Sequence, residues 1–94
     1  MLHGELREKL AVTDDNKNIY VDFRPFGDRQ SAAMDLYVHE VLEIVRVNPM
    51  GTGKTLVLTC DRSAEITDQS RLNLRELQKL GQPVALRCDQ EKGK

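Results

Sequence analysis

Short β-branched runs alternate with stretches whose apolar residues recur every three or four positions, which predicts a small single-domain α/β fold. The expected sheet has about four strands and two amphipathic helices, in the order β(β)αβαβ. Three segments carry the reading. In IYVDFRPF, Ile19, Val21 and Phe23 alternate with Tyr20, Asp22 and Arg24, the period of a strand. Met34, Val38, Val41 and Val45 repeat at spacings of four and three, the period of a helix. TLVLTC, residues 55–60, is a short aliphatic run that suits a buried strand.

Residues 2–12 read two ways. Leu2, Leu6 and Leu10 recur every four residues as on a helix, while Leu10-Ala11-Val12 before TDDNKN also looks like a strand entering a turn; a hairpin with the next segment is the preferred reading. Pro25 and Gly27 close the first clear strand. Asp28 or Ser31 is placed to cap a helix reaching about Val47, with Asp35, His39, Glu43 and Arg46 on its wetter side. After the polar loop DRSAEITDQS, Thr67 or Asp68 is placed to cap a second helix. Leu74, Leu77 and Leu80 line its inner face, and Gly81 followed by Pro83 stops it. PVALRC is the last strand, and residues 89–94 form a frayed polar tail. Parallel neighbours are then joined by right-handed crossovers.

Composition narrows the class of partner. Fourteen basic and fifteen acidic side chains leave a net charge of −1 over 94 residues, so no global field draws the chain to nucleic acid or a membrane. No apolar run approaches the length of a spanning helix, and MLHGELREKL lacks a secretion-signal core, which predicts a soluble, cytoplasmic protein. Cys60 and Cys88 are too few for a disulfide framework or a four-ligand zinc site and are expected as reduced, half-buried thiols. No cofactor or metal is expected. A free sheet edge would allow either a monomer or a homodimer.

NPMGTGKT, residues 48–55, ends like a phosphate-binding loop, yet Asn48 stands where the first glycine belongs. Such a loop also follows a strand and opens a helix, whereas here a helix precedes and a strand follows. The segment reads as a glycine-hinged connection, and the chain as a non-enzyme. His3 and His39 have no nucleophile or metal partner at useful spacing.

Two features invite a functional reading. Ser70 falls in the first turn of the second helix, where a phosphate would meet free N–H groups and the positive helix end; the plain alternative is that Thr67, Asp68 and Ser70 only cap the helix. Arg71, Arg75 and Lys79 recur every four residues along one face, which is either a solvated face or a basic stripe. Against nucleic acid the stripe would neutralise about three phosphates, with a salt slope near about −3 and no aromatic residue among them to stack bases.

From residue 55 onward, TLVLTCDRSAEITDQSRLNLRELQKLGQPVALR resembles the STAS domain of anti-sigma factor antagonists, in which an aliphatic strand leads through a D-S-[ST]-G-[LIM] turn to a leucine-lined helix. Asp68, Ser70 and Leu72 match that turn, Gln69 and Arg71 depart from it, and the likeness covers roughly residues 19 to 88. It implies a STAS-like sandwich, a protein partner, and Ser70 at the position phosphorylated in partner-switching members. VLTCDRSAEITDQSR is also similar to the strand-to-helix segment of the lambdoid NinB recombination proteins, which carry a D-Q-N-R turn matched by Asp68, Gln69 and Arg71. That likeness implies single-stranded DNA binding. The expected function is a non-catalytic regulatory module, open to switching by phosphorylation at Ser70. Its partner surface would comprise Asp61, Arg62, Asp68, Gln69, Ser70, Arg71, Arg75 and Lys79. The alternative is a small single-stranded nucleic-acid-binding recombination accessory protein of a phage or mobile element.

Overall fold

A computed structural model describes residues 3–48 and 53–90. Both readings of the first segment hold in part: α1 (His3–Lys9) leads directly into β1 (Ala11–Asp14), which forms a hairpin with β2 (Asn18–Asp22). Asp15 makes the turn. Its Oδ1 accepts the backbone N–H groups of Lys17 at 2.8 Å and Asn18 at 2.7 Å, a local geometry that aspartate offers at tight turns. Those donors hold its carboxyl below the ordinary carboxylate range.

Pro25 opens a short 3-10 stretch over Arg24–Arg29, from which α2 (Gln30–Val47) emerges. The expected side-chain cap from Asp28 or Ser31 is absent, because Arg29 occupies the N-cap and Ser31 donates instead to the Glu65 carbonyl. β3 (Thr55–Asp61), α3 (Asp68–Lys79) and β4 (Val84–Gln90) complete the chain. Asp89 and Gln90, assigned to the tail from sequence, continue β4; the rest of that tail, residues 91–94, lies outside the described residues.

The sheet order is β1-β2-β3-β4, antiparallel between β1 and β2 and parallel thereafter. Sequential parallel strands joined by right-handed crossovers put both connecting helices on the same face, and α2 and α3 do pack against each other there. Val21, Phe23, Leu56, Leu58 and Cys60 from the sheet meet Met34, Val38, Leu42 and Val45 from α2 and Leu74 and Leu77 from α3. Leu6 of α1 joins the same core. Burying each such side chain contributes about 1.5–3 kcal/mol. The result is a small α/β domain with a four-stranded mixed sheet covered on one side by helices. Tyr20, Val57 and Ala85 share one row of the opposite face, by the register of the parallel strands.

The end of α3 shows how local chemistry fixes a boundary. Gly81 takes φ 96°, the Gln82 N–H reaches the Leu77 carbonyl at 3.0 Å, and the Gly81 N–H reaches that of Gln78 at 3.1 Å. This pair of bonds satisfies the last helical carbonyls and needs a left-handed residue at Gly81.

Cys60 and Cys88 are disulfide-bonded, which corrects the expectation of reduced thiols. Register explains it. Thr59 lies opposite Arg87 but Asp61 lies opposite Gln90, so β4 carries one extra residue just where Cys60 faces it. The two Cα atoms stand 4.5 Å apart, within the range of about 4.4–6.8 Å that a disulfide spans. Persistent disulfides belong to oxidising compartments, so the bond does not favour the cytoplasmic placement drawn from the sequence. Among the described residues no helix is long and apolar enough to cross a membrane.

Two outcomes follow. The bond closes a loop with a sequence separation of 28. In the chain-entropy picture such a loop contributes about 3–4 kcal/mol. Reduction, or Cys88→Ala, should therefore lower the melting temperature by roughly 12–32 °C, and an unchanged melting curve after verified reduction would show that the link adds nothing. Asp22 is the second case. The guanidinium of Arg24 bonds it through Nε at 2.9 Å and Nη2 at 2.8 Å and holds its carboxyl below the ordinary range. A carboxylate depressed in this way stabilises the fold above its unfolded pKa and loses that contribution as pH falls through the folded one. Urea midpoints should thus drop below about pH 4, and Asp22→Asn should flatten that acid limb.

Candidate binding groove beside α3 and β4

Thr67 is the N-cap of α3, as its sequence position predicts, and its Oγ1 accepts the Ser70 N–H at 3.0 Å. The same hydroxyl donates to Asp35 Oδ1 on α2 at 2.6 Å, and the Ser70 hydroxyl donates to that carboxylate as well. One acidic group on α2 therefore gathers both hydroxyls at the start of α3. Asp35 was expected on the wet side of its helix; it is half-buried at the helix–helix seam. Its spacing held the signal, since position 35 is three residues before buried Val38 and four after Ser31, on the inner stripe.

Ser70 belongs to the same seam. It is 1% exposed, and its hydroxyl is committed to Asp35. A phosphate there would place dianionic charge against a carboxylate inside the α2–α3 seam, so the residue is a buried clasp in this fold, and modifying it would require the seam to open.

The remaining predicted partner residues divide into separate groups. Asp61, at the end of β3, is half-buried and engaged by Gln30, which itself is 3% exposed: the Gln30 amide nitrogen donates to Asp61 Oδ2 at 3.0 Å, and the Asp61 N–H donates to Gln30 Oε1 at 2.8 Å. Sequence reading passed over Gln30, because nothing local marks it as the tie between β3 and α2. Arg62, Asp68 and Gln69 are exposed. Gln69 donates to Asn73 Oδ1 at 3.2 Å, one turn along α3.

Arg71, Arg75 and Lys79 are exposed in line along α3, and among the described residues no carboxylate pairs with them. Below the first two runs a groove of about 250 Å³ lined by Arg71, Arg75, Gln78, Leu74, Val84 and Leu86. Its floor is apolar and one wall is basic. Among the described residues β4 pairs only with β3, so its outer edge offers backbone N–H and C=O groups alongside this groove. Sequence pattern supplied the basic stripe but not its neighbour, since whether β4 lies at a sheet edge is decided by strand order.

Two other regions are less available. At the carboxyl ends of β2 and β3, where α/β folds commonly hold ligands, a crevice of about 400 Å³ includes Asp28, Gln30, Ser31, Ser63 and Glu65. The Gln30 and Ser31 side chains there are already bonded within the protein. Of the glycine loop, residues 49–52 lie outside the described residues; Gly53 and Lys54 follow, and Thr55 opens β3 and not a helix. Lys54 Nζ reaches Asp14 Oδ2 at 2.9 Å.

Comparison with protein-family models, curated proteins and solved structures returns no match. The class is therefore set by geometry: a two-layer α/β domain with a basic-walled, apolar-floored groove at a free sheet edge.

The buried clasp gives a direct prediction. Ser70→Ala should cost about 1–2 kcal/mol by removing a hydrogen bond to a charged group, whereas Ser70→Asp should cost more than about 3 kcal/mol by setting an unpaired charge beside Asp35. Denaturant midpoints measure both, and an aspartate variant as stable as the parent would show the site to be open.

Proposed function

We propose that the chain is a non-catalytic regulatory module that takes an extended, acidic segment of a protein partner along the outer edge of β4, under Arg71 and Arg75. The observation that carries this reading is the coincidence of three features at one place. A strand edge supplies main-chain hydrogen bonds, Leu74, Val84 and Leu86 receive alternate apolar side chains, and two arginines with which no carboxylate among the described residues pairs attract acidic ones. The apolar floor and the absence of aromatic residues from the groove favour a peptide over single-stranded nucleic acid.

The test uses a fluorescein-labelled octapeptide alternating leucine with aspartate, with a labelled oligothymidylate as its control. The peptide should bind at low salt and lose affinity about tenfold or more in the Arg71→Glu, Arg75→Glu double variant. Binding of the oligonucleotide with no binding of the peptide would transfer the groove to nucleic acid. Binding of neither would remove the proposal.

A further inference from the structure

A second cavity lies where the amino ends of β2 and β3 meet the last turns of α2. It measures about 270 Å³, and Ile19, Tyr37, Val41, Ile44, Val45 and Leu56 supply its apolar wall. Two amide side chains, of exposed Asn48 and buried Gln82, complete the lining. That glutamine is 6% exposed, and its Nε2 donates to the Lys54 carbonyl at 2.8 Å and the Pro83 carbonyl at 2.9 Å. Two carbonyl partners fix the orientation of the amide: the nitrogen must face them, and Oε1 is the atom left over. Among the described residues no donor reaches that oxygen. A buried acceptor with no donor costs about 1–3 kcal/mol until something supplies one.

We infer that this cavity is a binding site for a small, mainly apolar molecule that presents a single N–H or O–H donor to Gln82 Oε1. Ligand cavities run from about 300 to 1,000 Å³ and combine apolar walls with few fixed polar groups. At about 270 Å³ this one falls just below that range, so its occupant is no larger than a two-ring heterocycle. Tyr37 contributes an aromatic wall already set edge-on to Phe23, with ring centroids 5.7 Å apart, and burial raises its hydroxyl pKa above the ordinary value. It stays neutral and repels no apolar guest.

A second copy of the chain fits the cavity less well. Only Ile44, at 66% exposure, and Val47, at 85%, offer large apolar surface near the rim, and the Glu43–Arg46 ion pair, 3.5 Å apart, lies between and beside them. A stable dimer needs an interface of at least about 1,000 Å² with an apolar centre, which this rim does not supply. The site is independent of the α3 and β4 groove and shares no residue with it.

Indole and indene test the inference, because they share a shape and only indole carries an N–H donor. Titrated into protein with labelled methyl groups, indole should shift Ile19, Val41, Val45 and Leu56 saturably, with a dissociation constant on the order of 0.1–1 mM. Indene should bind roughly five- to tenfold more weakly. Val41→Phe fills the cavity without touching Gln82 and should abolish the shifts while the amide spectrum stays folded. Equal affinity for the two probes, no saturable shift at their solubility limit, or wall resonances that follow protein concentration instead of ligand would each overturn the proposal.

Discussion

The carboxylate of Asp35 decides where α3 begins. It accepts from Thr67 and from Ser70, while Thr67 in turn caps the Ser70 N–H, so three polar groups from two helices satisfy one another inside the seam. A buried network of this kind stabilises only when every member has a partner, and it then permits one docking geometry. That geometry turns Leu74 and Leu77 to the core and Arg71 and Arg75 outward. A start shifted by one residue would rotate the helix by about 100° and bury the arginines.

Gln30 plays the matching part at the other contact of α2. By exchanging two hydrogen bonds with Asp61 it joins the first turn of α2 to the end of β3. Together the two ties fix α2 against β3 and α3 through specific hydrogen bonds as well as apolar packing. The crevice at the carboxyl ends of the strands is lined partly by Gln30, one of these groups, whereas the groove beside β4 and the cavity under the last turns of α2 are lined by none of them.

Topology accounts for both surfaces. With strands in sequential order, each helix covers the strands it connects, so β4 is left without a further neighbour and α2 presents its flank beyond β2. The groove of Arg71 and Arg75 and the cavity of Tyr37 and Gln82 therefore share no lining residue, although Leu56 of the cavity and Val84 of the groove face each other across β3 and β4.

Local sequence determined the alternation of strands and helices, Thr67 as the cap of α3, Gly81 as its stop, and the outward stripe of Arg71, Arg75 and Lys79. Each depends on backbone preferences and side-chain spacing within a few residues. Tertiary structure alone decided that Cys60 meets Cys88, that half-buried Asp35 meets buried Ser70, and that Gln30 reaches Asp61 across a separation of 31 residues. It also decided the exposure of the β4 edge. The reason is that a polar side chain is buried or free according to what the opposing element brings to it, and that partner lies far along the chain, beyond the range of any local pattern.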